Sequence, residues 1–388
     1  MKSTITKALA GAAAAALAAV TLSACGSSDS DADAKSSDTA AACSTMTPVK
    51  LQLQWNNQAQ FAGYYAAADK GYYKDACLDV TLLEGGSDVV PQKVLSDGGA
   101  DFAVSWAPKV LGDIEGGLNM VNVAQIFQRS APLIVSLKEK GITTPADLKG
   151  KKWVNWGYGN QWELLAMLQG AGGLAPKDTA YEAEGDTAAN LFDDGYDAVT
   201  AMTYNELAEL LETKNPKTGK LYTEDDFNIL DPNKYDASML EDDIWAMGDK
   251  LSDPAFAKTT QAFITASLKG WIYVRDNPTD GAAMAAKYGS QHPATHELWM
   301  MNEINKLIWP APAGIGTVDP AAWKRTVDES MKVIDPASGK PLITKATPDS
   351  VINQTFVTKA LSDLKAEGLD VTGESFTPED VTLTEGGE

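Results

Sequence analysis

Arginine is scarce: only Arg129, Arg275 and Arg325 occur in 388 residues. Sites built for sulfonate or phosphate often use bidentate arginine, so a site here favours a neutral ligand. Histidine is scarcer still, with only His292 and His296. His292-Pro293-Ala294-Thr295-His296 has the i, i+4 spacing of a zinc helix, but Pro293 breaks the helix between them and no third histidine exists. No metal is expected. The chain also lacks a Gly-x-Ser-x-Gly elbow, a P-loop and a dinucleotide glycine fingerprint. Neither catalytic residues nor a cofactor are therefore expected, and the chain is not read as an enzyme. Positive charge is short as well: 32 lysines and arginines face 53 acids, for a net charge of −21. That excludes a basic stripe for nucleic acid and suits a soluble protein at a cell surface.

No apolar run reaches the roughly 20 residues needed to span a bilayer. The longest, Ala8 to Leu22, has about 15, follows Lys2 and Lys7, and ends in small residues, which is the pattern of a secretory signal over residues 1–24. Leu22-Ser23-Ala24-Cys25 resembles the bacterial lipobox, where the signal is cut before a cysteine whose thiol is lipidated. The expected location is the outer face of a bacterial cytoplasmic membrane, with a lipid anchor at Cys25. Residues 25–47, rich in Ser, Asp, Ala and Thr, read as a flexible acidic stalk. Asp29, Asp31 and Asp33 alternate as in calcium loops, but no Gly and Glu follow at the required spacing. Cys43 and Cys77 remain, and in an oxidising compartment they either pair or stand as separate thiols.

From Pro48 onward the chain looks globular. Strand patterns are expected at Val49–Trp55, Asp79–Leu83, Asp101–Trp106, Val121–Phe127 and Leu133–Leu137. Helices are expected at Phe61–Gly71 and Val89–Leu95. This βαβ rhythm implies a mainly parallel sheet. A second α/β unit begins after Thr143, with strands at Lys152–Gly157 and Asp197–Thr203 and helices at Glu163–Gln169 and Asn205–Leu211. Ile244–Met247 reads as a strand leading back, and the remainder from Pro254 is mostly helical. The division expected is a first lobe over 48–140, a second over 141–240, and a return with C-terminal helices over 241–388. The crossings are expected near Val135–Lys140 and Tyr235–Ile244, with a ligand cleft between the lobes.

All ten tryptophans lie beyond residue 47. Trp55, Trp106 and Trp156 fall at predicted strand ends, where aromatic rings would face the cleft and stack on a flat ligand; core packing is the competing role. Amides and phenols gather around Trp55-Asn56-Asn57-Gln58-Ala59-Gln60-Phe61-Ala62-Gly63-Tyr64-Tyr65. Trp156-Gly157-Tyr158-Gly159-Asn160 is a turn whose backbone N–H groups could meet a polar ligand atom. Glu84-Gly85-Gly86-Ser87-Asp88 is a similar turn, with Ser87 or Asp88 as a helix cap. Met202-Thr203-Tyr204-Asn205-Glu206 ends a strand with a phenol, an amide and a carboxylate, and Glu206 would accept from a ligand amino group.

The run Leu51-Gln52-Leu53-Gln54-Trp55, continuing through Gln60-Phe61-Ala62-Gly63-Tyr64-Tyr65-Ala66-Ala67-Ala68-Asp69-Lys70-Gly71-Tyr72-Tyr73-Lys74, resembles the opening of a solute-binding family. That family is the thiamine-pyrimidine-precursor type, related to nitrate, sulfonate and taurine binders of ABC importers. Ala100-Asp101-Phe102-Ala103-Val104, Pro145-Ala146-Asp147-Leu148-Lys149-Gly150, Ala201-Met202-Thr203-Tyr204-Asn205-Glu206 and Lys269-Gly270-Trp271-Ile272-Tyr273 also match. The resemblance implies a two-lobed periplasmic-binding-protein fold of type II with hinge-linked lobes. It implies capture of a small heteroaromatic ligand, most simply a pyrimidine precursor of thiamine, and delivery to an ABC permease. Riboflavin, sulfonate and nitrate remain alternatives. Carried over by position, Trp55, Gln60, Tyr64, Trp106, Trp156, Tyr158, Asn160, Tyr204 and Glu206 are the expected ligand-binding residues. A monomer is expected. The same superfamily contains a pyrimidine synthase that consumes its own histidine; this chain has Phe61 at that position and lacks the synthase's cysteine-rich motif.

Overall fold

In the computed structural model, residues 43–183, 188–192 and 195–388 are described. The signal segment, Cys25 and the stalk as far as residue 42 lie outside them. The described chain contains ten strands: β1 (Thr47–Gln52), β2 (Leu78–Leu83), β3 (Phe102–Ser105), β4 (Met120–Gln125), β5 (Pro132–Leu137), β6 (Trp153–Asn155), β7 (Glu182–Ala183), β8 (Ala198–Met202), β9 (Phe227–Leu230) and β10 (Asp243–Met247). They form two five-stranded sheets, ordered β2-β1-β3-β10-β4 and β7-β6-β8-β5-β9. The central strands β3 (Phe-Ala-Val-Ser) and β8 (Ala-Val-Thr-Ala-Met) are buried throughout, as strands covered on both faces must be.

The sheets are mixed rather than mainly parallel. β1 runs parallel to β2 and β3, but β10 is antiparallel to β3 and β4. In the second sheet β6 is parallel to β7 and β8, while β5 is antiparallel to β8 and β9. In each sheet the reversed strand is the one the chain enters on crossing from the other half. This moves a boundary. Pro132–Leu137 belongs to the second sheet, so the first crossing spans residues 126–131, upstream of the expected 135–140. A short apolar strand carries no signal for which of two sheets it joins. The second crossing spans residues 236–242.

The structure adds a helix at Ala107–Glu115, the strand β9 and a helix at Thr355–Ala366 that sequence patterning did not mark. Turn residues 87–88 do not cap the next helix; its N-cap is Val90, without a side-chain cap. The long helix Pro254–Asp276 packs on helix Ala62–Asp69. A Cβ on Gly270 would sit 2.0 Å from the Gly63 carbonyl oxygen, and one on Gly63 would sit 2.1 Å from the Trp271 ring. Those two glycines set the closeness of the helices.

The return segment is not confined to the first half. Ile334 N–H donates to Gln169 Oε1 at 2.9 Å, and Gln169 Nε2 donates to the Ile334 carbonyl at 2.7 Å. The tail later reaches Glu212, whose carbonyl accepts from Gly386 N–H at 3.2 Å. At the other end, the Sγ atoms of Cys43 and Cys77 are bonded, joining the approaches to β1 and β2 with Cα atoms 5.6 Å apart.

Candidate functional site

Parallel strands end side by side, and both sheets aim those ends at one place. β1 and β3 deliver Gln54, Trp55 and Trp106; β6 and β8 deliver Trp156, Met202 and Tyr204. With Gln58, Gln60, Lys109, Asn160, Asn205 and Glu206 they line one cleft. Its position beyond the carboxyl ends of the strands is where ligands bind in open α/β sheets.

The first wall is organised by Asp242, at the amino end of the reversed strand β10. Asp242 has φ 40°, a left-handed conformation that short polar side chains tolerate better than most. Its Oδ1 accepts from Trp106 Nε1 at 2.8 Å and from Gln54 Nε2, and its Oδ2 accepts from Gln60 Nε2 at 2.8 Å. Gln58 Nε2 donates to Gln60 Oε1 at 2.6 Å. Burial pushes the Asp242 carboxyl up to about 6, against the pull of these donors and of Lys109. Asp242 was not read from the sequence. Three acids in a row, Glu241-Asp242-Asp243, directly before the apolar run Ile-Trp-Ala-Met were the available signal: they had to be buried with the strand.

Lys109, on the helix after Trp106, was also missed. Its Nζ lies 4.8 Å from the Trp106 ring centroid, and it makes no ion pair with any described residue. Burial lowers it to about 8. The opposite half packs on its stem: a Cβ on Gly159 would lie 2.8 Å from Lys109 Cγ.

In the second wall, Gly157, Tyr158 and Gly159 are all left-handed, with φ of 71°, 54° and 86°. The turn closes on itself. Gly157 N–H donates to Asn155 Oδ1 at 2.7 Å, Gly159 N–H to Gln161 Oε1 at 3.0 Å, and Asn160 N–H to the Gly157 carbonyl at 2.9 Å. Those N–H groups are therefore taken, contrary to the expectation that they face a ligand. The same turn swings Tyr158 outward, leaving it 67% exposed and out of the cleft.

Glu206 is buried. Its Oε2 accepts from Met202 N–H at 2.9 Å and its Oε1 from Asn205 Nδ2 at 3.0 Å. Burial, then the charge of Glu209, raises it to about 8, so at neutral pH it holds a proton. Behind it, buried His296 sits with Nε2 2.9 Å from Asn205 Oδ1 and Nδ1 3.1 Å from both Glu212 oxygens. His296 is thereby a cross-brace between helix Ala294–Ile308 of the return segment and the second half, and both its ring nitrogens are engaged by protein.

Of the residues named from sequence, Trp55, Gln60, Trp106, Trp156, Asn160, Tyr204 and Glu206 line the cleft. Tyr64 and Tyr158 do not. Tyr64 is core: it is 1% exposed and stacks edge-on against Trp271 at 5.4 Å, because its helix packs against Pro254–Asp276. Gln54, Gln58, Lys109, Met202 and Asn205 complete the lining. No arginine does. Arg129 donates to the carbonyls of Lys306, Leu307, Trp309 and Pro310, Arg275 pairs with Asp276 and Asp370, and Arg325 donates to the Ser238 carbonyl.

Residues 58–281 match the family described as NMT1/THI5 like. The chain belongs to that family. A Haemophilus influenzae protein named for thiamine biosynthesis is 25% identical over 263 residues, covering 67% of this chain and 77% of that one. The formylaminopyrimidine-binding protein of Halalkalibacterium halodurans is 22% identical over 236 residues, covering 60% and 68%. The riboflavin-binding protein RibY of Chloroflexus aurantiacus is 23% identical over 292 residues, covering 72% and 78%. Among solved structures, the periplasmic aliphatic sulphonate binding protein SsuA of Escherichia coli superposes with a TM-score of 0.54 at 16% identity, covering 78% of this chain and 94% of that one. The fold of this family member is the two-lobed periplasmic-binding-protein fold.

Proposed function

We propose that this protein captures a flat, neutral heteroaromatic nutrient, a pyrimidine precursor of thiamine before others, and hands it to an ABC-type permease. The coarser part, a substrate-binding protein of importer type and not an enzyme, rests on the family and on relatives that are themselves binding proteins. The ligand rests on one observation. Indoles and a phenol from both halves, Trp55 and Trp106 on one wall and Trp156 and Tyr204 on the other, enclose a cleft edged by amides and lacking arginine.

The rings supply stacking worth about 0.5–1.5 kcal/mol per good contact beyond area burial. Protonated Glu206 has an O–H to offer a ring nitrogen while its oxygens keep their backbone and Asn205 donors. This revises its role from acceptor to donor. Lys109 has donors free for a carbonyl. Closure is stabilised because such a ligand touches both walls. Anchoring through Cys25 on the outer membrane face and action as a monomer complete the reading.

A thermal-shift screen of the mature chain against hydroxymethyl- and formylamino-pyrimidines, riboflavin, taurine and nitrate tests it. A ligand at about 100 times its Kd adds roughly 2.7 kcal/mol of stability. A shift with pyrimidines supports the reading; a shift with taurine or nitrate alone overturns it.

A further inference from the structure

The two crossings between the halves, residues 126–131 and 236–242, meet on a pair of buried acids that has no part in the cleft. Glu163 lies in the first turn of helix Trp162–Gly170, and Glu241 lies in the second crossing. Glu163 Oε2 accepts from Ser130 Oγ at 2.6 Å in the first crossing and from Met239 N–H at 2.9 Å in the second. Glu241 Oε2 accepts from Ala131 N–H at 3.2 Å, and its carbonyl accepts from Gln125 Nε2 at 2.6 Å. The two carboxyls thus tie one crossing to the other.

The second oxygen of each acid, Oε1, is buried and has no other partner among the described residues, and the two side chains are within hydrogen-bonding reach of each other. Two ionised carboxylates do not share such a site, whereas one shared proton lets one carboxyl donate to the other. We propose that the Glu163–Glu241 pair is a proton-dependent lock on the hinge: sharing one proton, it holds the two crossings together in the arrangement seen here, and losing that proton drives the acids apart and frees the halves to open.

The surrounding charges set its bias. Asp231 acts on Glu163, and Asp242 and Tyr204 act beside Glu241. Lys109 is the nearby cation in the cleft wall. On the flanking helix Pro320–Lys332, Arg325 donates to the Ser238 carbonyl and Thr326 Oγ1 accepts from Leu240 N–H. Burial raises both acids, and Glu163 raises Glu241 further. A group that holds its proton more tightly in the locked state favours that state at low pH and loses it as pH rises. The lock therefore releases on the alkaline side.

The test needs no ligand, so its failure is separate from failure of the ligand reading. Spin labels at Lys93→Cys and Lys217→Cys, exposed positions on opposite halves, report the distance between halves in the unliganded protein from about pH 5 to about pH 9. The wild type is expected to lengthen as pH rises. Glu241→Gln keeps the shape and offers a permanent donor to Glu163, so its distance stays short throughout. Glu163→Gln, which leaves only one ionisable acid, loses the same response and guards against a local folding defect. A wild-type distance that does not change with pH, or a Glu241→Gln variant that opens as the wild type does, overturns the proposal.

Discussion

The indole N–H of Trp106 donates to the Asp242 carboxylate at 2.8 Å, and this joins a strand end of the first half to the chain returning from the second. Asp242 stands one residue past Glu241, in the crossing itself. The same carboxylate holds Gln54 and Gln60, so the edge of one cleft wall is set from the hinge. The junction between the halves and the placing of these cleft side chains are therefore linked through one residue.

Removing that carboxylate leaves buried amide and indole donors without an acceptor, at about 1–3 kcal/mol for such a group. Asp242→Ala is predicted to lower the melting temperature and to weaken ligand binding by at least about tenfold. Thermal unfolding and titration calorimetry measure both. Unchanged affinity would mean that Asp242 does not organise the wall.

Ligand contacts on opposite walls should each matter. Trp55→Ala and Tyr204→Ala are predicted to weaken binding by about tenfold or more, of the order of a stacking contact plus its buried area. Tyr158→Ala, whose ring lies outside the cleft, should bind as the wild type. Tyr64→Ala should instead cost about 3–5 kcal/mol of stability, as large aromatic truncations in cores do. Calorimetry and chemical denaturation separate the two classes.

Lys109 is a charge-assisted, strong donor only while protonated, and burial has brought it down to about 8. Affinity for a carbonyl-bearing ligand is predicted to fall as pH rises through that value. Lys109→Met should show weaker binding at neutral pH. Its affinity for a ligand lacking the carbonyl should match that of the wild type. Equal losses for both ligands would remove Lys109 from recognition.

Stability should decline toward alkaline pH. Glu206, Glu297 and Asp242 are raised to about 8, 7 and 6, each mainly by burial, whereas in the unfolded chain such acids ionise near about 4. Between those values the folded state binds more protons than the unfolded one, so unfolding free energy falls as pH rises. The melting temperature of the unliganded protein is expected to be highest near about pH 5 and several degrees lower near about pH 8. A rising profile over this range would contradict the burial of these acids.

Strand ends were legible because hydrophobic runs that stop at an aromatic residue mark both a strand and its exit; Trp55, Trp106 and Trp156 follow from that alone. Sheet membership was not, since Pro132–Leu137 pairs through backbone groups that every sequence possesses. The cleft's polar side was half legible. Gln60 and Glu206 stand beside the aromatic residues in sequence, while Asp242 arrives from 136 residues beyond Trp106. Tyr158 misled because its sequence neighbours are cleft residues, and only three successive left-handed residues reveal that it turns away.

Titration calorimetry of the mature protein with formylamino-pyrimidine, against taurine and nitrate as comparison ligands, tests the central claim most directly. One site is expected, with a Kd near about 1 μM, or roughly −8 kcal/mol, and no heat from taurine or nitrate. Binding of taurine or nitrate with no response to any pyrimidine would contradict it, and would make the aromatic residues of the cleft structural.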